Sequence, residues 1–197
     1  MITGARLWAD RATYFTQSNN PTEQLLKKIG AAHWLETCGP TSAANCLAAL
    51  GYNLIITCPG GWVPQPEEVL EDFLNDPRNY ADMRAIRANL DPATIPGNRV
   101  PQYYPLAVSR VFGAQGNYIE SHSFDALCDH LSKGMAVQLC LVTPGHYIAA
   151  VAYDDESHEV IYRDPWPERF PDGNGFNRRM SAAEFQANTK NFAIIYL

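Results

Sequence analysis

The chain has 197 residues, enough for one compact domain with a core of its own. Hydrophobic residues make up 46% and charged residues 18%, which excludes a disordered body. The net charge is −6, and Lys27-Lys28 and Arg178-Arg179 are the only adjacent basic pairs, so nucleic acid finds no electrostatic footprint.

Residues 1–11 lack the basic start and apolar stretch of a secretory signal. No apolar run reaches the roughly 18–20 residues that span a bilayer. The expectation is a chain that is cytoplasmic as synthesised and makes no membrane contact. There are five cysteines, Cys38, Cys46, Cys58, Cys128 and Cys140, with no C-x-x-C pair. An odd number at irregular spacing argues against a disulfide scaffold or a structural zinc site, so they read as reduced thiols.

In chain order, a short strand is expected near Tyr14-Phe15, then a helix over 21–29 with Pro21 at its start and Gly30 beyond its end. The turn Thr37-Cys38-Gly39-Pro40 leads into a small-residue helix over 41–50, closed by Gly51. A stretch richer in Pro and Gly follows, with helices over 66–75, 80–90 and 106–112. From there a strand is expected at 118–120 and a helix at 123–132 with Ser123 as its cap. Strands over 135–142, 146–153, 159–163 and 193–197 come next, with a turn at 154–157 and a last helix over 181–187. The result is an α+β fold: a helical N-terminal part packed on a mostly antiparallel C-terminal sheet, with a groove between the layers. We expect a single domain over 1–197, in which 1–120 form the helical lobe and 121–197 the sheet lobe.

Cys38 stands where a turn becomes a helix. The nucleophile of a thiol is its thiolate, and the unpaired N–H groups and partial positive charge of a helix N-terminus favour it. Gly39 leaves space beside the sulfur, and Pro40 suits a first turn because it has no N–H to satisfy. The run Cys38-Gly39-Pro40-Thr41-Ser42, continued by Ala43-Ala44-Asn45, resembles the nucleophile segment of the double-glycine (bacteriocin-processing) peptidases and their stand-alone relatives. That group lies in the papain-like cysteine proteinase superfamily, and the resemblance implies the papain-like fold.

A thiol nucleophile needs a base and a group that orients the base. Of five histidines, His146 is best placed, after the turn Pro144-Gly145 and at the head of an apolar strand. Gly145-His146-Tyr147-Ile148-Ala149-Ala150 also resembles the family's histidine strand. Asp164 follows 18 residues later in Arg163-Asp164-Pro165-Trp166, and two antiparallel strands joined by a tight turn return it to the side of His146. The resemblance implies that Asp164 orients the imidazole. It also implies an oxyanion-hole glutamine, for which Gln17 fits the family segment and Gln24 competes from the expected helix.

The resemblance covers residues 14–50 and 123–197. The segment 52–120 matches no known pattern and is expected to line the groove. Trp62, Tyr103, Tyr104 and Trp166 are candidate walls, of which Trp62 and Trp166 are taken as substrate-binding; His33 and Trp34 are at most groove lining. The implied activity is that of a cysteine peptidase without metal or organic cofactor. It would be a bacterial or phage enzyme whose substrate is a peptide or protein, such as a leader peptide or a peptidoglycan peptide. Acyl transfer of the transglutaminase or arylamine acetyltransferase type uses the same triad, and an inactive binding module would keep the fold alone.

Overall fold

A helix of small residues, α1 (Cys38–Leu50), runs through the middle of the molecule. Residues 39–49 are all buried, which a helix can sustain only if it is apolar on every side and carries no charge. It ends at Gly51, whose φ of +93° lets its N–H reach the carbonyls of Leu47 and Ala48. Beside the hydroxyls of Thr41 and Ser42, Asn45 is the buried amide inside it. Its amide accepts from the Phe15 N–H (2.9 Å) and donates to the Phe15 carbonyl (2.9 Å).

The computed structural model describes residues 1–19 and 37–197. Three more helices share its core, of which the first packs directly on α1: α2 (Pro66–Asn75), α3 (Tyr80–Ile86) and α4 (Tyr104–Phe112). Leu70, Leu74, Met83, Tyr104 and Val108 bury themselves in the core cluster that includes Leu47.

The sheet comprises seven strands among the described residues. They are β1 (Ile2–Gly4), β2 (Gly116–Ile119), β3 (Ala136–Leu141), β4 (Tyr147–Asp154), β5 (Glu159–Arg163), β6 (Arg178–Ser181) and β7 (Thr189–Tyr196). The order is β2-β7-β3-β4-β5-β6, every pairing is antiparallel, and β1 adds to β4 over Ala152–Asp154. Alternation along β4 divides the core. Ala149 and Val151 face the α1 side, while Ile148 and Ala150 face a second cluster. That cluster is closed by α5 (Phe124–Ser132) and α6 (Ala182–Asn188), through Leu127, Leu131 and Phe185. The sheet is therefore covered on both faces, an α+β arrangement with α1 packed on antiparallel strands.

Several expectations are corrected. No strand forms at Tyr14-Phe15, because Phe15 spends its backbone groups on the Asn45 amide. The helix expected over 80–90 stops at Ile86, where Arg87 leaves the helical region (φ −138°, ψ 82°). The short strands β1 and β6 were not foreseen. The helix expected over 21–29, together with Gln24, His33 and Trp34, lies outside the described residues. Among the described residues no helix is long and apolar enough to cross a membrane.

Candidate active site

Cys38 is the first residue of α1, and no side chain caps that helix from Thr37. The first turn is instead held from the sheet and from α4. Gln138 on β3 donates to the Gly39 carbonyl (2.9 Å), and its own carbonyl accepts from the Tyr196 hydroxyl (2.6 Å). The Tyr104 hydroxyl, bonded to the Asn98 carbonyl (2.8 Å), lies 1.9 Å from where a Cβ on residue 39 would sit. Only glycine fits there, so the Gly39 read as space beside the sulfur is also space for Tyr104.

His146 leaves the Pro144-Gly145 turn just before β4, and its carbonyl accepts from the Leu141 N–H (2.7 Å) to close the β3–β4 hairpin. Its Nε2 donates to Asp164 Oδ1 at 2.7 Å. The other ring nitrogen, Nδ1, is left for the Cys38 thiol, which stands close enough to help hold the imidazole charged. Burial disfavours the charged imidazolium here. The Asp164 hydrogen bond, the nearby Cys38 sulfur and their charges outweigh burial and lift the His146 pKa from 6.5 to about 9.

Asp164 is fully buried at the end of β5. Its Oδ1 also accepts from the Trp166 N–H (2.9 Å), and its Oδ2 accepts from Arg169 (3.1 Å). Its backbone is fixed by the Gly175 carbonyl (2.8 Å) and the Tyr14 hydroxyl (2.6 Å). The carboxylate is thus held by three donors, of which sequence reading anticipated one. Trp166 stands edge-on to the imidazole, with ring centroids 5.9 Å apart.

Gln17 is buried, and its backbone N–H donates to the Pro165 carbonyl (2.8 Å), next to Asp164. Among the described residues neither atom of its side-chain amide has a hydrogen-bond partner. Trp62 is 61% exposed and does not line the cavity at Cys38; Tyr103 and Tyr104 are core residues. That cavity, of about 410 Å³, is bounded by Cys38, Cys140, Gly145 and Tyr147 together with Arg99 and Lys190. Arg99 belongs to the segment 52–120 that sequence reading placed along the groove. Lys190 and Arg169 were missed, because each is an ordinary charged residue whose meaning depends on what folding sets beside it. Among the described residues no group of three or more His, Cys, Asp or Glu is arranged to hold a metal ion.

The family model described as "Peptidase_C39 like family" matches residues 10–192 of the chain. No curated protein matches it. Among solved structures, the peptidase domain of Streptococcus ComA, a bifunctional ABC transporter involved in a quorum-sensing pathway, is 16% identical with a TM-score of 0.44. The match covers 82% of this chain and 91% of that one. The peptidase domain of Streptococcus mutans ComA is 18% identical over 49% of this chain and 72% of that one, with a TM-score of 0.37. A putative C39-like peptidase from Bacillus anthracis is 13% identical over 49% of this chain and 58% of that one, with a TM-score of 0.36.

Proposed function

The chain belongs to the Peptidase_C39 like family, a group of cysteine peptidases, and from that premise we propose that it cuts peptide bonds with Cys38 as nucleophile, His146 as base and Asp164 as orienter. The single observation that carries this reading is the position of His146. One ring nitrogen is bonded to a fully buried carboxylate and the other faces the thiol at the start of α1.

The chemistry follows from that arrangement. The Cys38 proton passes to Nδ1, and the sulfur attacks the carbonyl carbon of the scissile amide. Asp164 holds the tautomer and offsets the charge of the imidazolium. Negative charge gathers on the carbonyl oxygen, which the Cys38 N–H and the Gln17 side-chain amide stabilise. A buried amide with no partner among the described residues suits that task, since it is already out of water. The imidazolium then gives its proton to the leaving amine. His146 next draws a proton from water, which attacks the thioester and frees the acid. Trp166, edge-on to His146, covers the imidazole and, like Trp62, does not line the cavity at Cys38. Substrates are peptides, with leader peptides and cell-wall peptides the classes that the family resemblance suggests.

The test is direct. The protein and its Cys38→Ala variant are incubated with a pool of proteome-derived peptides, and new termini are counted by mass spectrometry. New termini with the first and none with the second are expected. Equal yields from both would refute the assignment.

A further inference from the structure

The cavity beside Cys38 has a charge pattern that the peptidase chemistry does not use. The protein carries a net charge of −6, yet the cavity lining contains two cations, Arg99 and Lys190, and no carboxylate. Lys190 is aimed there by an irregularity in the sheet. Leu139 pairs with Ala193 but Leu141 pairs with Thr189, so residues 190–192 of β7 stand opposite Cys140 alone. A bulge of this kind redirects side chains, and such features are frequent near active sites.

The two residues that follow Lys190 fix this bulge. The Asn191 side chain accepts from the His122 N–H (3.1 Å), and the Phe192 ring packs against Tyr118 (5.9 Å) and Tyr147 (6.4 Å). Lys190, directly before them, stands beside the Cys140 sulfur. Cys140 is a buried thiol whose burial favours the neutral form, so it orients the ammonium without neutralising it. Among the described residues no carboxylate is paired with Lys190. The ammonium therefore presents a charge to whatever fills the space next to the nucleophile.

We propose that Lys190 is a specificity-determining residue, selecting peptides that carry an Asp or Glu side chain within two residues of the bond cut. This rests on the peptidase reading of Cys38. The Lys190 side chain is exposed at the cavity rim, and an ammonium meeting a carboxylate there gives a preference of about twofold to fivefold over an uncharged side chain.

Two measurements on the full chain test it, using Lys190→Gln and Lys190→Glu. In the first, the peptide pool is cut and the residues flanking each Cys38-dependent site are tallied. Enrichment of Asp and Glu is expected for the unaltered protein, its loss in Lys190→Gln, and a turn toward Lys and Arg in Lys190→Glu. Sites without acidic enrichment, or an enrichment that both variants retain, overturn the proposal.

The second measurement needs no proteolysis. The rates at which iodoacetate and iodoacetamide alkylate Cys38 are compared at fixed pH and ionic strength. Their ratio should fall by about threefold in Lys190→Gln and further in Lys190→Glu. If Cys38-dependent cuts are absent, the peptidase reading fails and this ratio alone decides carboxylate selection. An unchanged ratio then refutes it, and the graded fall upholds it.

Discussion

His146 carries opposing demands. Burial pushes it toward neutrality, while Asp164 and the Cys38 sulfur hold it charged, and the charged form wins up to about pH 9. Because its folded pKa lies above the ordinary 6.5, the stability it contributes is fully present below pH 6.5 and is lost as pH rises through about 9. The same protonation sets the alkaline limb of kcat/KM, expected near pH 9. Asp164→Ala should bring that limb down toward 6.5 and lower kcat by about 10²-fold or more. Arg169 acts in the opposite sense. Its guanidinium draws on the far oxygen of Asp164, so Arg169→Gln leaves more negative charge for the imidazole and should move the limb upward. A limb that moves down in Arg169→Gln, in a titration of kcat/KM, would refute that role. The difference in legibility between these residues has a physical basis. Cys38 and His146 stand at a helix start and a strand start, which local residue types announce. Arg169 meets Asp164 only through an irregular turn after β5, which no periodicity encodes.

At the scale of the element, α1 shows why its sequence is so restricted. A helix buried on all sides tolerates little beyond Ala, Ser, Gly and Cys where neighbours approach closely. Gly39 is the extreme case, with the Tyr104 hydroxyl in the place of its missing Cβ. Gly39→Ala should destabilise the protein by about 1–3 kcal/mol in urea unfolding and slow Cys38 alkylation. Adding Tyr104→Phe removes the clashing oxygen and should restore part of both losses. No recovery in the double variant would mean that the strain lies elsewhere. The helix was readable from its Pro start and Gly stop, and the β4–β5 hairpin from its apolar run and its acidic turn. The strands β1 and β6 were not readable, since three or four residues carry too little pattern and owe their state to β4 and β5. The early end of α3 likewise follows from the turn at Arg87, where apolar spacing alone would have continued the helix.

Across the whole molecule, the two faces of the sheet answer differently to acid. The face that carries α1 holds the charged imidazole; the other face holds His122, kept neutral. Burial and the nearby charge of His130 push the His122 pKa down to about 4, and its ring also meets Phe185 edge-on. A base with a depressed pKa contributes stability that is complete above pH 6.5 and is lost as pH falls toward 4. Unfolding midpoints measured between pH 7 and pH 4 should therefore decline, and His122→Phe should flatten that decline. An unchanged slope would show that other groups govern acid unfolding. Arg163 serves the whole fold as well. Fully buried, it donates to the carbonyls of Leu7 (2.9 Å), Trp8 (3.0 Å) and Thr13 (2.7 Å).

That arginine is one of several ties that make the opening residues a tether between halves far apart in sequence. Leu7 bonds to Ala49, Phe15 to Asn45, Tyr14 to Asp164 and Gln17 to Pro165. One short stretch thereby links the far end of α1 to the carboxylate bonded to His146. A fragment trimmed to begin at Cys38 would keep every atom of Cys38, His146 and Asp164 and lose the brace that sets their spacing.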